Sequence, residues 1–174
     1  LAERRGVAVR MAARPIAADD FAALMGLLAD TARREGFSLH PAEHYRILLD
    51  VATPNFANEL FIAELGGQPL AAAIVNGYRP AGIATYLHGG SRREDRQVMA
   101  PHLLQWKIIQ SCRGRGMVAY DFGGIDEAHW PGVTRFKRGF GGALLAHPPS
   151  VDYVFRPFLY RLYRLRRALR RSPR

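Results

Sequence analysis

Apolar residues recur along this chain first at helical and then at strand spacing. Residues 7–10 alternate weakly and predict a short strand. Beyond them, Phe21, Leu24, Met25, Leu28 and Ala32 share one face of a helix that Asp19 or Asp20 can cap. Arg33 and Arg34 suit the negative end of that helix, and Gly36 can take the left-handed conformation that closes it. A second helix is predicted from Pro41, burying Tyr45, Leu48, Leu49 and Ala52 and stopping before Pro54. The period then changes. Runs at 60–65 and 69–78 joined by Gly66-Gly67, with a third at 83–88, predict an antiparallel meander. Ser91 and Glu94 have capping-box spacing for a short helix reaching Met99. Pro101 can open a longer helix carrying Leu104, Ile108 and Cys112, ended by Gly114 and Gly116. Residues 117–122 predict a buried strand, 133–138 a helical turn, and 143–146 and 151–155 the last strands. Helix pair, meander, helix and strand in that order predict an α/β fold. Its sheet is mixed and mostly antiparallel, with helices on both faces, unlike a doubly wound parallel sheet.

The 174 residues, 48% of them hydrophobic, suffice for one ordinary domain with a core. No run approaches the roughly 20 apolar residues of a membrane-crossing helix. Residues 1–5 carry charge where a signal peptide is apolar, so a cytoplasmic protein is expected. Position 1 is Leu rather than Met, and the expectation is a piece of a longer chain. Cys112 is the only cysteine, which excludes an intrachain disulfide and a paired-cysteine zinc site. His40 and His44 are four apart, but Pro41 sets His40 ahead of the helix, and no metal is assigned.

The formal net charge of +10 is unevenly spread: eight arginines and no acid follow from Arg156, leaving 17 bases against 15 acids in 1–155. Phe158, Leu162, Leu165 and Leu169 align on one side of a predicted helix, with Arg161, Arg164 and Arg171 largely elsewhere. Such a tail suits a polyanion, either a nucleic-acid backbone or an anionic membrane face, or is a solvated, solubilising end.

Four segments, in order, resemble the FemABX family of peptidoglycan-bridge transferases. They are Tyr86-Leu87-His88-Gly89-Gly90-Ser91, Leu103-Leu104-Gln105-Trp106-Lys107, Tyr120-Asp121-Phe122-Gly123-Gly124-Ile125 and Arg135-Phe136-Lys137-Arg138-Gly139-Phe140-Gly141-Gly142. Arg156-Pro157-Phe158-Leu159-Tyr160 echoes that family's endings. His88 and Arg92 depart from the family pattern, which has an aromatic and a small polar residue there. The resemblance implies a GNAT-like acyltransferase lobe over 1–155, followed by a basic amphipathic helix or tail over 156–174. It also implies that a first lobe, carrying much of the acceptor site, lies outside this chain. The implied reaction moves an aminoacyl group from the ester of aminoacyl-tRNA, as co-substrate, to an amine on a peptidoglycan precursor's stem peptide. The precursor is a UDP-sugar pentapeptide or lipid-linked, and no cofactor takes part; from its arginines, not from the resemblance, the basic tail is expected to be able to touch the inner membrane face.

Such a transfer needs a neutral amine, a positioned ester and stabilisation of the oxyanion. The resemblance implies a role for the Phe136-Lys137 pair, with Lys137 a cation beside the ester and Phe136 stacking on the terminal adenine or walling off water. The residues alone also allow a core Phe136 and a solvated Lys137. Asp121, in an apolar run, needs a partner. It can be a general base for the attacking ammonium, or it can satisfy the Gly123-Gly124 turn. Arg135 and Arg138 can contact tRNA phosphates or be solvated, and Tyr120 joins them as a substrate-binding candidate. Gln105 and Trp106 can line a groove, although a Trp beside Leu104 and Ile108 usually packs.

Two other readings compete. An acetyl-CoA-dependent N-acetyltransferase carries a phosphate cradle after its fourth strand, reading Arg or Gln, two residues, Gly, one residue, Gly or Ala. Gly89-Gly90-Ser91-Arg92 has the position without the spacing, and Arg113-Gly114-Arg115-Gly116 ends a helix instead of opening one. The second is a non-catalytic lobe whose tail anchors an assembly to tRNA or a membrane.

Overall fold

The computed structural model describes residues 1–93, 96–146, 148–149 and 151–171, with side chains through 168. The elements run β1 (Val7–Met11), α1 (Ala18–Glu35), α2 (Ala42–Asp50), β2 (Phe56–Leu65), β3 (Gln68–Tyr78), β4 (Ile83–Ser91), α3 (Ala100–Gly114), β5 (Ala119–Asp121), α4 (Pro131–Arg138) and α5 (Pro157–Arg171). The strands form one sheet in sequence order, antiparallel from β1 to β4 and parallel only between β4 and β5. This is the mixed sheet that the residue pattern predicts.

Strands β2 and β3 are buried on both faces, so alternate residues serve different cores. Phe61, Ala63, Ala71, Ala73 and Val75 pack with Leu104, Ile108 and Cys112 of α3. Leu60, Ile62, Ala72 and Ile74 pack with Phe21, Leu24 and Leu28 of α1 and with Tyr45 and Leu49 of α2. Between these strands Gly66 and Gly67 hold φ of 57° and 79°, the left-handed region that makes the turn inexpensive for glycine alone.

A bulge in β4 decides which side chains reach the site. Ile74 pairs with His88 but Val75 with Tyr86, so Leu87 is an extra residue on β4. Tyr86 therefore packs on the core under α3, while His88 lies against Tyr45 of α2, with ring centroids 5.2 Å apart. In a regular strand, residues two apart would share a face.

Several expected boundaries are corrected. Ala17 precedes α1 without a side-chain cap, and Asp19 and Asp20 lie in the first turn. The Asp20 carboxylate instead accepts from Arg10 of β1 (2.6 Å), which also reaches Glu64 of β2 (3.2 Å). A guanidinium offers a stronger, charged pair of donors than one backbone N–H. Pro41 stands just outside α2, and Ala52 lies beyond that helix and is exposed. Ser91 ends β4 instead of opening a helix, and Glu94 lies outside the described residues. Among the described residues, 143–146 and 151–155 form no strand and are exposed. An apolar run becomes a strand only beside one that takes its N–H and C=O groups.

The chain divides into two compact units, Leu1–Lys137 and Arg138–Arg174. The sequence reading draws its division between 155 and 156. The second unit contains α5, the helix expected for the basic tail, and the Leu169 side chain lies outside those described.

Candidate active site

Strands β4 and β5 pair only at Ile83–Ala119, Ala84–Tyr120 and Thr85–Asp121. Beyond Thr85 the outer edge of β4 has no strand partner among the described residues. A cavity of about 530 Å³ opens there, lined by Tyr86, Gly89 and Gly90 of β4, His102 and Gln105 of α3, and Phe136 and Lys137 of α4, among others.

The two glycines leave room for close neighbours, backbone at Gly90 and a side chain at Gly89. A Cβ on Gly90 would stand 2.3 Å from the Leu27 carbonyl oxygen, so its absence lets β4 lie directly against α1. Beside it, the Ser91 N–H donates to the Thr31 hydroxyl (3.0 Å), which donates to the Leu27 carbonyl (2.9 Å). A Cβ on Gly89 would be 2.0 Å from the Tyr86 hydroxyl, which therefore lies over bare backbone. Burial pushes the pKa of that hydroxyl up to about 12.

Lys137 is positioned from the loop before α4. The Asp126 carboxylate accepts the Ala128 and His129 N–H groups (2.9 Å each), an Asx-type turn that leads into the helix. Thr134, buried in α4, then bonds the Asp126 backbone in both directions, accepting from N–H (3.1 Å) and donating to C=O (2.9 Å). On the same helix Val133, Phe136 and Lys137 share the face that lines the cavity. The Lys137 ammonium donates to the Gly124 carbonyl (2.7 Å) and lies 6.0 Å from the Tyr86 ring centre. Burial lowers its pKa and the Asp121 charge opposes that shift. The result is a half-desolvated cation held at the cavity wall, where a developing negative charge is stabilised most strongly.

The other expected residues divide. Phe136, half-buried, meets the edge of the His102 ring (4.9 Å, 79°) and lines the cavity with Lys137. Burial lowers the His102 pKa. Asp121 is exposed, and its carboxylate accepts the Gly123 N–H (2.7 Å), satisfying the turn. Tyr120 donates to Gln105 (2.6 Å), and burial, then the neighbouring Tyr86, raises its pKa. Arg135 is exposed and outside the cavity lining. Arg138 is exposed and begins the second unit. Gln105 is buried and Trp106 is 52% exposed, the reverse of the usual packing of a helical Trp.

Sequence reasoning missed the cavity's basic rim. Arg34 of α1 and Arg92, Arg93 and Arg96 after β4 line it, with Glu35 the acid among its described lining. Arg34 reaches both Glu35 (2.8 Å) and the Ser91 carbonyl (3.2 Å), and Arg92 donates to Gln68 (3.1 Å). These arginines come from two separated stretches, and each alone reads as solvated charge. Tyr86 and the glycine pair had a signal, since they stand in the first family-like segment.

A family model described as the FemAB family matches residues 52–167. Lipid II:glycine glycyltransferases of Staphylococcus saprophyticus and Staphylococcus aureus are each 33% identical over 82 residues, covering 44% of this chain and 20% of theirs. The match thus spans a fifth of those relatives' length. The crystal structure of FemX superposes with a TM-score of 0.61 at 17% identity, over 72% of this chain and 46% of that one. An aminoglycoside acetyltransferase from an uncultured soil metagenomic sample gives 0.65 at 16% identity, over 88% and 99%. A GCN5-related N-acetyltransferase from Kribbella flavida gives 0.59 at 17%, over 77% and 81%. These likenesses speak to the fold, which is GNAT-like.

Proposed function

We propose a function from one premise: the chain belongs to the FemAB family. It is the acyl-transferring lobe of an aminoacyltransferase that joins an amino acid to an amine of a peptidoglycan precursor. The observation that carries this reading is the half-desolvated Lys137 ammonium, tied to the Gly124 carbonyl beside the open edge of β4. The glycyltransferase relatives favour glycine as the amino acid and lipid II as the acceptor. Charged tRNA supplies the ester, in the cytoplasm.

The amine nitrogen attacks the ester carbonyl, forming the C–N bond as the C–O bond to the ribose breaks. The nitrogen's proton passes to the departing ribose oxygen, directly or through water. Lys137 stabilises the oxyanion or that oxygen, an effect that grows as the cavity excludes water. The Asp121 carboxylate favours the charged form of Lys137, opposing the burial that lowers its pKa. Phe136 and Tyr86 wall the cavity, and Tyr86 keeps its proton at neutral pH. Arg34, Arg92, Arg93 and Arg96 suit the phosphates at an RNA 3′ end. Arg135 and Arg138 are the further phosphate contacts, and Tyr120 positions Gln105 at the wall. A first lobe outside this chain supplies the rest of the acceptor site.

The test is donor choice. The chain, alone and joined to the first lobe of a FemAB relative, is incubated with charged tRNA and with lipid II or the UDP-linked precursor. Labelled amino acid is expected on the precursor. Tight stoichiometric acetyl-CoA binding, with acetylation of an amine and no aminoacyl transfer, would overturn the reading in favour of an N-acetyltransferase.

A further inference from the structure

Residues 138–174 contain nine arginines and one acid, Asp152. Along α5, Phe158, Leu162 and Leu165 recur at the spacing of one helical face and are 72%, 50% and 61% exposed. Leu159 and Tyr163 lie a quarter turn and more round from that stripe, beyond Arg166, and are also exposed. Arg161 and Arg166 border that stripe on its two sides and Arg164 and Arg167 lie opposite it, all four in solvent. The Tyr160 hydroxyl donates to Asp152 (2.5 Å), which ties the segment's lone carboxylate to the helix side away from the stripe. Val151, Tyr153 and Phe155, just before the helix, are exposed as well.

A solvated tail, or a strip that holds RNA phosphates, needs charge alone and has no use for a row of bare leucines and phenylalanine. A second copy of this unit is a poor occupant, because two such faces would bring together segments of formal charge +8 each. Spanning a bilayer is excluded as well: no described helix is long and apolar enough. The 15 residues of α5 reach only about 22 Å against a hydrocarbon core of about 30 Å. An apolar stripe set among arginines matches the boundary of an anionic bilayer, where acyl chains and negative headgroups meet.

We infer that α5 and the segment before it dock on an anionic lipid surface, the helix lying in the interface plane. Phe158, Leu162 and Leu165 enter the acyl boundary, and the bordering Arg161 and Arg166 engage the headgroups. This docking is independent of the transfer reaction proposed above and survives its failure.

Co-sedimentation of the 174-residue chain with phosphatidylcholine vesicles, with and without phosphatidylglycerol, tests it. Binding is expected to the mixed vesicles, to weaken with salt, and to fall about fivefold for each of Arg161→Gln and Arg166→Gln. Phe158→Ser/Leu162→Ser/Leu165→Ser, at unchanged charge, loses at least about tenfold. The corresponding triple alanine variant, which keeps helix propensity, shows a similar loss, so unfolding of the helix does not explain it. Leu165→Trp, in a chain carrying Trp106→Phe and Trp130→Phe, gives a blue-shifted emission on mixed vesicles. Undiminished vesicle binding by the serine variant would overturn the inference, leaving a charge-only tail of the RNA-binding kind. So would a chain that ignores vesicles, whether it dimerises through α5 or stays monomeric with a solvated helix.

Discussion

Replacing Gly90 with alanine puts a methyl group 2.3 Å from the Leu27 carbonyl oxygen, 2.5 Å from its carbon and 2.7 Å from the Leu28 nitrogen. These are backbone atoms inside α1, and no side chain can swing away to make room. The strand and helix must part by about 1 Å, which also stretches the bond from the Ser91 N–H to Thr31. Overpacking a tight interface costs about 1–3 kcal/mol, and the lost hydrogen bond about 1 more. The expected total is therefore about 3 kcal/mol. For a chain of this size that is a fall of roughly 6–12 °C in Tm. Gly26→Ala provides the internal control. That glycine lies within α1 with nothing within 4 Å of the new Cβ, so the same substitution there should stabilise by about 0.5–1 kcal/mol. Urea unfolding followed by circular dichroism measures both. A Gly90→Ala chain within about 0.5 kcal/mol of the parent, with an unchanged urea slope, would refute the close approach of β4 and α1.

Two further substitutions probe the neighbourhood of the site. Tyr120→Phe removes the donor to the buried Gln105 carbonyl and should cost about 1–3 kcal/mol. Adding Gln105→Leu should recover part of that loss in the same unfolding assay. Burial, then the neighbouring His44 and His40, holds the His88 pKa below the ordinary imidazole value. As pH falls below about 6.5 the unfolded imidazole is protonated first, so stability present at neutral pH is lost toward the folded pKa. Burial gives His102 the same direction. His88→Phe should flatten, and not steepen, the decline of Tm between pH 7 and pH 5 in scanning calorimetry.

What the residues disclosed follows from where the determining contacts lie. Helices α1 and α3 and the β2–β3 hairpin were legible because spacing and glycine turns act within a few residues. The Leu87 bulge was not, since it depends on how β4 registers against β3 and leaves no local mark. It alone turns Tyr86 toward the cavity and His88 away. Asp20 illustrates a tertiary contact overriding a local preference: its carboxylate pairs with Arg10 of the neighbouring strand, and α1 begins without a side-chain cap. The runs at 143–146 and 151–155 have strand-like composition, but composition supplies no neighbouring strand. Phe136 and Lys137, which line the cavity, were singled out through the family-like segment, since a lysine and a phenylalanine in a short polar helix carry no signal of their own. Asp121 allowed two readings in sequence, and its bond to the Gly123 N–H shows the turn contact of one of them.

Lys137 carries the account of the chemistry, so its removal is the most direct test. Lys137→Met keeps the length of the side chain, and the exposed Gly124 can bond water once the ammonium is gone. Single-turnover aminoacyl transfer should slow about 10²–10³-fold, with donor affinity and Tm unchanged. A transfer rate within about threefold of the parent, or a loss confined to donor affinity, would contradict a role for that cation in the transition state.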